Sequence, residues 1–177
     1  MALMRISEKQ IGEIAGLVAE YIAHQRESFL QKAHPIPEAI QKKLQPFFPR
    51  GLLQSVTVAK GRAAEPGFYP QLRAMGIRNA PAFSDMAGIT FQDVVVYVDR
   101  IPDSLLFHEL VHAVQYEHLG VQGFSDRYVR GFLMGGSYEE IPLEKQAYEL
   151  EARFAANPDS PFSVEGDVSE RLRANRL

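Results

Sequence analysis

"LLFHELVHAVQYEHLG", residues 105–120, has the spacing of one helix that is apolar almost all the way round. Leu106, Leu110, Val111, Ala113 and Val114 supply that surface, yet His108, Glu109 and His112 interrupt it. Burying two imidazoles and a carboxylate is costly unless they are paired or bind a metal. Residues four apart on a helix differ by about 40° around its axis, so both imidazoles leave one face, one turn apart. They can share one metal ion. Glu109 stands about 100° from His108, beside such an ion rather than on it. A carboxylate there can act as general base towards water, which is why the spacing H-E-x-x-H carries chemistry.

The flanks of this stretch set its limits. Asp103 stands where an N-cap belongs, and Gly120 where a helix end favours left-handed backbone. Upstream, "AGITFQDVVVYVD" (87–99) is β-branched and aromatic, so it reads as one bent strand or a tight hairpin around Gln92-Asp93. Downstream, "FSDRYVRGFL" (124–133) reads as a short helix with Asp126 and Arg130 one turn apart, closed by Gly135-Gly136. Pro142 opens a longer helix that runs to about residue 156, before Asn157-Pro158.

Further out the signals are simpler. From Ser7, a plausible N-cap, to about Gln31, Ile11, Ile14, Leu17, Val18, Tyr21 and Ile22 repeat at helical spacing. A short helix should start near Pro37 and stop near Pro46 and Pro49, and "LLQSVTVAKG" (52–61) reads as a strand ended by Gly61. Residues 62–82 read mostly as loop, with a helical turn around "PQLRAMG". The tail from Asn157 is polar, with a short helix near Ser169. The expectation is an α+β fold, mainly helical, with a short sheet beside the H-E-x-x-H helix. Residues 1–87 would pack on a core of residues 88–156 that carries the site, with 157–177 a polar tail, all within one domain.

Composition narrows the function. The chain has 177 residues, 46% of them hydrophobic, enough for a sizeable core. A net charge of −3 with scattered Lys and Arg gives no reason to expect nucleic acid or an anionic membrane as partner. The absence of cysteine excludes disulfides, thiolate metal sites and a cysteine nucleophile. Charges break every apolar run before membrane-spanning length, and residues 1–21 lack a signal-peptide core, so a soluble cytoplasmic protein is expected.

A catalytic zinc site needs a third protein ligand and an open position. His118 lies about 80° from His108 and nearly three turns along, so it points the wrong way. His24 and His34 are far upstream. A carboxylate remains, and the 142–156 helix offers Glu144, Glu149 and Glu151. Glu144 leads, because it follows Pro142 and shares a face with Ala147, whose small side chain allows close approach. A first-turn glutamate is also what the helix dipole favours without any metal.

These stretches together, "TFQDVVVYVD", "HELVHAVQYEHLG" and "IPLEKQAYELEARF", resemble the small gluzincin-type zinc metallopeptidases sometimes called minigluzincins. The resemblance covers roughly residues 88–156. It implies His108, His112 and Glu144 as ligands to Zn2+, Glu109 as general base, and a peptide or protein as substrate. Gln115 matches a glutamine that often follows the motif. Tyr148 stands where many of these proteins have an aspartate orienting a histidine, which leaves Asp93, Asp99 or the Tyr148 hydroxyl for that task. Tyr138 is the candidate oxyanion stabiliser, with Tyr128 and His118 as rivals. An extended peptide could pair with the edge of "ITFQDVVVYV". The alternative from another class is a catalytically silent zinc-binding module that serves as sensor or protein-binding domain.

Overall fold

A computed structural model describes residues 6–177. Helix α1 (Glu8–Leu30) begins at a capping box: Gln10 N–H donates to Ser7 Oγ, and Ser7 N–H donates to Gln10 Oε1 at 2.9 Å. Strand β1 (His34–Pro35), helices α2 (Glu38–Leu44) and α3 (Arg50–Ser55), strand β2 (Thr57–Lys60) and helix α4 (Tyr69–Ala74) follow. A 3-10 turn at Phe83–Asp85 leads into the hairpin β3 (Gly88–Phe91) and β4 (Val94–Tyr97). Helix α5 (Asp103–Gly135), a 3-10 turn at Tyr138–Glu140, α6 (Pro142–Ala156) and α7 (Val164–Arg173) complete the chain. The fold is α+β. No helix among the described residues is long and apolar enough to cross a membrane.

The four strands form one sheet in the order β1-β2-β4-β3, with β2 and β4 parallel and the other pairs antiparallel. The expected turn at Gln92-Asp93 is present, with Gln92 at φ 61°. Val94, Val95 and Val96 are all buried because both faces of the sheet are covered. On one face Phe91 stacks on Phe29 of α1, ring centroids 6.3 Å apart. On the other, Thr90 meets Glu109 of α5. Strand β3 is the free edge of the sheet nearest the H-E-x-x-H helix.

Three local expectations need correction. Leu52 and Leu53 belong to α3, not to a strand. Pro49 sits at the N-cap of that helix, and the Val56 N–H bonds Leu52 C=O, so strand pairing starts only at Thr57. Pro102 rather than Asp103 is the N-cap of α5. Asp103 lies in the first turn, and its carboxylate is bonded by Lys43. Residues 157–177 are not a polar tail throughout: the short helix expected near Ser169 is present as α7, ten residues long and capped by Ser163 Oγ accepting from Gly166 N–H at 2.9 Å, and it is docked rather than free. Val164 and Val168 are fully buried against the rest of the molecule.

Helix α5 is two helices in one. Gly120, at φ 65° and ψ 171°, breaks the helical path, a conformation that only glycine adopts without strain. Gly136, at φ 79°, ends the second half. The first half is anchored by Phe107, which is fully buried and stacked on Phe154 of α6 at 4.4 Å, with Phe47 and Phe48 edge-on to it.

Candidate metal centre

The first half of α5 brings His108 and His112 to one face, and the first turn of α6 delivers Glu144 opposite them. His108 Nε2 and His112 Nε2 lie 3.1 Å apart, and Glu144 Oε2 lies 3.4 and 3.3 Å from them. All three residues are buried and form a cluster that could hold a metal ion. Glu144 Oε2 has no hydrogen bond, although it is buried. A buried carboxylate oxygen left unpaired is expensive, and it is the atom aimed at both imidazoles.

The helices are held close enough by small residues. Ala147, one turn after Glu144, is fully buried. At Gly131, on the second half of α5, an added Cβ would meet Pro142 Cδ at 2.6 Å, so glycine permits the approach of the α6 N-terminus.

Each imidazole is supported from behind. His108 Nδ1 lies 3.1 Å from Glu151 Oε2, and His112 Nδ1 lies 2.8 Å from Gln115 Oε1. Gln115 Nε2 donates to Leu143 C=O and to Gln146 Oε1, both at 3.0 Å. Asp93 does not enter the site, for it is paired with Arg26. Glu149 is paired with Arg171 at 2.7 Å, so of the three glutamates of α6 only Glu144 faces both imidazoles. Tyr148 lies against the His108 ring, centroids 4.5 Å apart, and does not take the place of an aspartate. The missed support is Glu151. Seven residues, almost two whole turns, separate it from Glu144, so both glutamates leave one face of α6.

Glu109 is buried beneath β3. Thr90 Oγ1 lies 2.7 Å from Glu109 Oε2 and 3.0 Å from its backbone carbonyl. An added Cβ at Gly88 would stand 2.8 Å from Glu109 Oε1, so that glycine gives the carboxylate its space. Neither contact has a signal in the sequence beyond the nearness of a strand.

Burial raises the Glu109 carboxyl above its ordinary value, and the two histidines only partly oppose this. For His112, burial works downwards, but the facing Glu144 carboxylate outweighs it and lifts the imidazole to about 9. For Glu144, burial works upwards, but His112 and then His108 outweigh it and hold the carboxyl at about 2. Both shifts point the same way: they favour charge on His112 and on Glu144, whose Nε2 and Oε2 face each other at 3.3 Å without a hydrogen bond.

Beside the His108, His112 and Glu144 cluster lies a small cleft of ≈ 50 Å3, bounded by β3, α1 and both halves of α5. Tyr21, Phe83, Phe91 and Phe124 give it apolar walls, and Glu109, His112, Tyr138 and Glu144 meet at one end. Tyr138 faces Glu144, and burial together with that carboxylate keeps its phenol protonated far beyond the ordinary range. Tyr128 also lines the cleft, whereas His118 does not. Val98 N–H bonds Ala87 C=O, so by antiparallel alternation the backbone polar groups of Gly88 and Thr90 turn to the open edge of β3. Tyr116 Oη reaches Thr90 C=O there at 3.3 Å.

No protein-family model, curated protein or solved structure matches this chain.

Proposed function

We propose that the chain is a zinc-dependent peptidase of gluzincin type. The observation that carries this is the triangle of His108 Nε2, His112 Nε2 and Glu144 Oε2, with sides of 3.1, 3.4 and 3.3 Å. Ligands about 2.0–2.1 Å from a tetrahedral zinc ion are separated by roughly 3.3–3.4 Å, so the triangle matches one face of that polyhedron. Two nitrogens and one oxygen are the donor set of a catalytic site rather than a closed structural one. Glu144 Oε2, otherwise orphaned, would gain its partner.

Bound zinc would supply a Lewis acid and make water a nucleophile at neutral pH. The remaining work falls to the chain's own residues. Glu109 takes the proton of the attacking water and hands it to the leaving nitrogen. Thr90 holds Glu109 Oε2, which leaves Oε1 for that transfer. The raised Glu109 carboxyl suits it to carry a proton both ways. Tyr138, protonated throughout, donates to the developing oxyanion. An extended peptide laid along β3 finds the outward backbone groups of Gly88, and the small apolar cleft receives an apolar side chain beside the scissile bond.

One observation favours a latent or silent centre. His108, Glu109, His112 and Glu144 are 3–5% exposed, and Val18, Tyr21 and Ile22 of α1 help to wall the cleft. A sensor or binding module would keep the metal and dispense with substrate access. Zinc content, measured on protein purified without chelator, tests the centre. Stoichiometric zinc that disappears in His108→Ala/His112→Ala is the expected result. Glu109→Gln then separates enzyme from module, because it should keep zinc and lose at least about 10²-fold in hydrolysis of a mixed peptide library. Equal inertness of wild type and Glu109→Gln, in full-length chain and after proteolytic release of α1, would end the peptidase reading.

A further inference from the structure

We infer that helix α7 sets the tautomer of a metal ligand, with Asp167 and Gln146 as positioning residues for His112. The inference rests on the metal site proposed above, and it adds a coupling between that site and the docking of the C-terminal helix. The Asp167 carboxylate can only accept hydrogen bonds. Gln146 Nε2 donates to Asp167 Oδ1 at 2.7 Å, and the same oxygen lies 2.8 Å from Arg171 Nε. With its amide group committed to α7, Gln146 must turn Oε1 inwards, where Gln115 Nε2 donates to it at 3.0 Å. The second hydrogen of Gln115 goes to Leu143 C=O, another pure acceptor. Gln115 Oε1 is then the atom that meets His112 Nδ1 at 2.8 Å, so that nitrogen carries the hydrogen. In the neutral ring this leaves the His112 Nε2 lone pair facing His108 and Glu144.

The chain runs one way, from His112 through Gln115 and Gln146 to Asp167. Gln115 and Gln146 are fully buried. A flip of either amide would set acceptor against acceptor, Gln115 Oε1 against Leu143 C=O or Gln146 Oε1 against the Asp167 carboxylate, where no water can repair it. His108 has a separate support in Glu151, which does not reach α7. The helix therefore acts on one histidine of the pair, and the other is an internal control. Metal needs the His112 Nε2 lone pair. A docked α7 should thus raise metal affinity, and by reciprocity bound metal should hold α7 down.

Two readouts on the full chain test this. The first is the imidazole 15N spectrum of metal-free protein, recorded over a pH series that ends in alkaline buffer so that the neutral rings are observed directly. Wild type should show His112 as the Nδ1–H form. Gln115→Leu, Gln146→Leu and Asp167→Ala should move His112 towards Nε2–H and leave His108 unchanged. The second is zinc affinity by competition with a chromophoric chelator. Gln115→Leu should weaken it about 10- to 100-fold, and Asp167→Ala by a factor of roughly 2 to 30. Asp167→Asn keeps an acceptor oxygen and should restore both readouts. If Gln115→Leu or Gln146→Leu fails to fold, the two Asp167 variants decide alone. An unchanged His112 tautomer with unchanged zinc affinity in Asp167→Ala overturns the inference. A wild type that takes no zinc overturns instead the metal reading, and the tautomer measurement still judges the chain from α7.

Discussion

A carboxylate that moves protons must be fixed on one side and free on the other. Thr90 fixes Glu109 Oε2, and Gly88 leaves room at Oε1. Under the proposed reaction, Gly88→Ala should therefore disturb Glu109 as base and spare zinc binding. Its Cβ would come 2.8 Å from Oε1 and 3.2 Å from Leu105 Cδ1, so the Glu109 side chain must swing away. Zinc stoichiometry should match wild type, while kcat should fall about 10²-fold, as displacement of a reacting group by about 1 Å can do. Zinc content and turnover measured on one preparation check this, and unchanged turnover would show that Glu109 has slack. His108, Glu109 and His112 were legible because helical geometry converts a spacing of four into one face. Glu151 was visible only as a rival ligand. Its role depends on which imidazole nitrogen it reaches, and that is set by how α6 lies on α5. Tyr148 was hard to place for the same reason: its ring lies tilted against that of His108, centroids 4.5 Å apart.

At the level of elements, punctuation residues were the readable part. The capping box at Ser7, the turn at Gln92-Asp93, Gly136 and Pro142 all stand at element boundaries. Leu52 and Leu53 were misread because a short apolar run followed by β-branched residues looks like one strand, and only the partner Val94 shows where pairing starts. Gly120 gives a separate test of backbone strain. Nothing lies within 4 Å of an added Cβ there, so Gly120→Ala probes the φ of 65° alone. It should destabilise the protein by about 1–3 kcal/mol, read as a lower urea midpoint with unchanged slope. Phe107→Ala acts through packing instead. The ring stacks on Phe154 and meets Phe47 and Phe48 edge-on, so its removal opens a cavity at the joint of α5 and α6. The expected loss is about 3–5 kcal/mol. A loss under about 1 kcal/mol would mean that the joint collapses around the gap.

Across the whole molecule, the His108, His112 and Glu144 cluster is where α5, α6 and the β3 edge meet, and its protons would tie the proposed metal binding to stability. His112 is raised from its ordinary 6.5 to about 9 and Glu144 lowered from 4.5 to about 2. The His112 contribution is complete below 6.5 and is lost as pH rises through about 9. The Glu144 contribution is complete above 4.5 and is lost as pH falls through about 2. Both are present between 4.5 and 6.5, so metal-free protein should be most stable there. Glu109 favours the acid end of that window: its raised carboxyl means that its contribution is complete below 4.5 and is progressively lost as pH rises above that value. Zinc should invert the slope. It binds neutral imidazole, so it must displace the His112 proton, and its affinity should climb with pH until that proton is gone near 9. Stabilisation by a fixed excess of zinc follows affinity, so the gain in Tm should be small at pH 5 and larger at pH 8. Calorimetric titration in neutral buffers of differing ionisation enthalpy should report release of about one proton per zinc. A metal-free Tm that stays flat from 6.5 to 9, together with no proton release, would mean that His112 is already neutral in the folded chain and that the ion pair with Glu144 does not form.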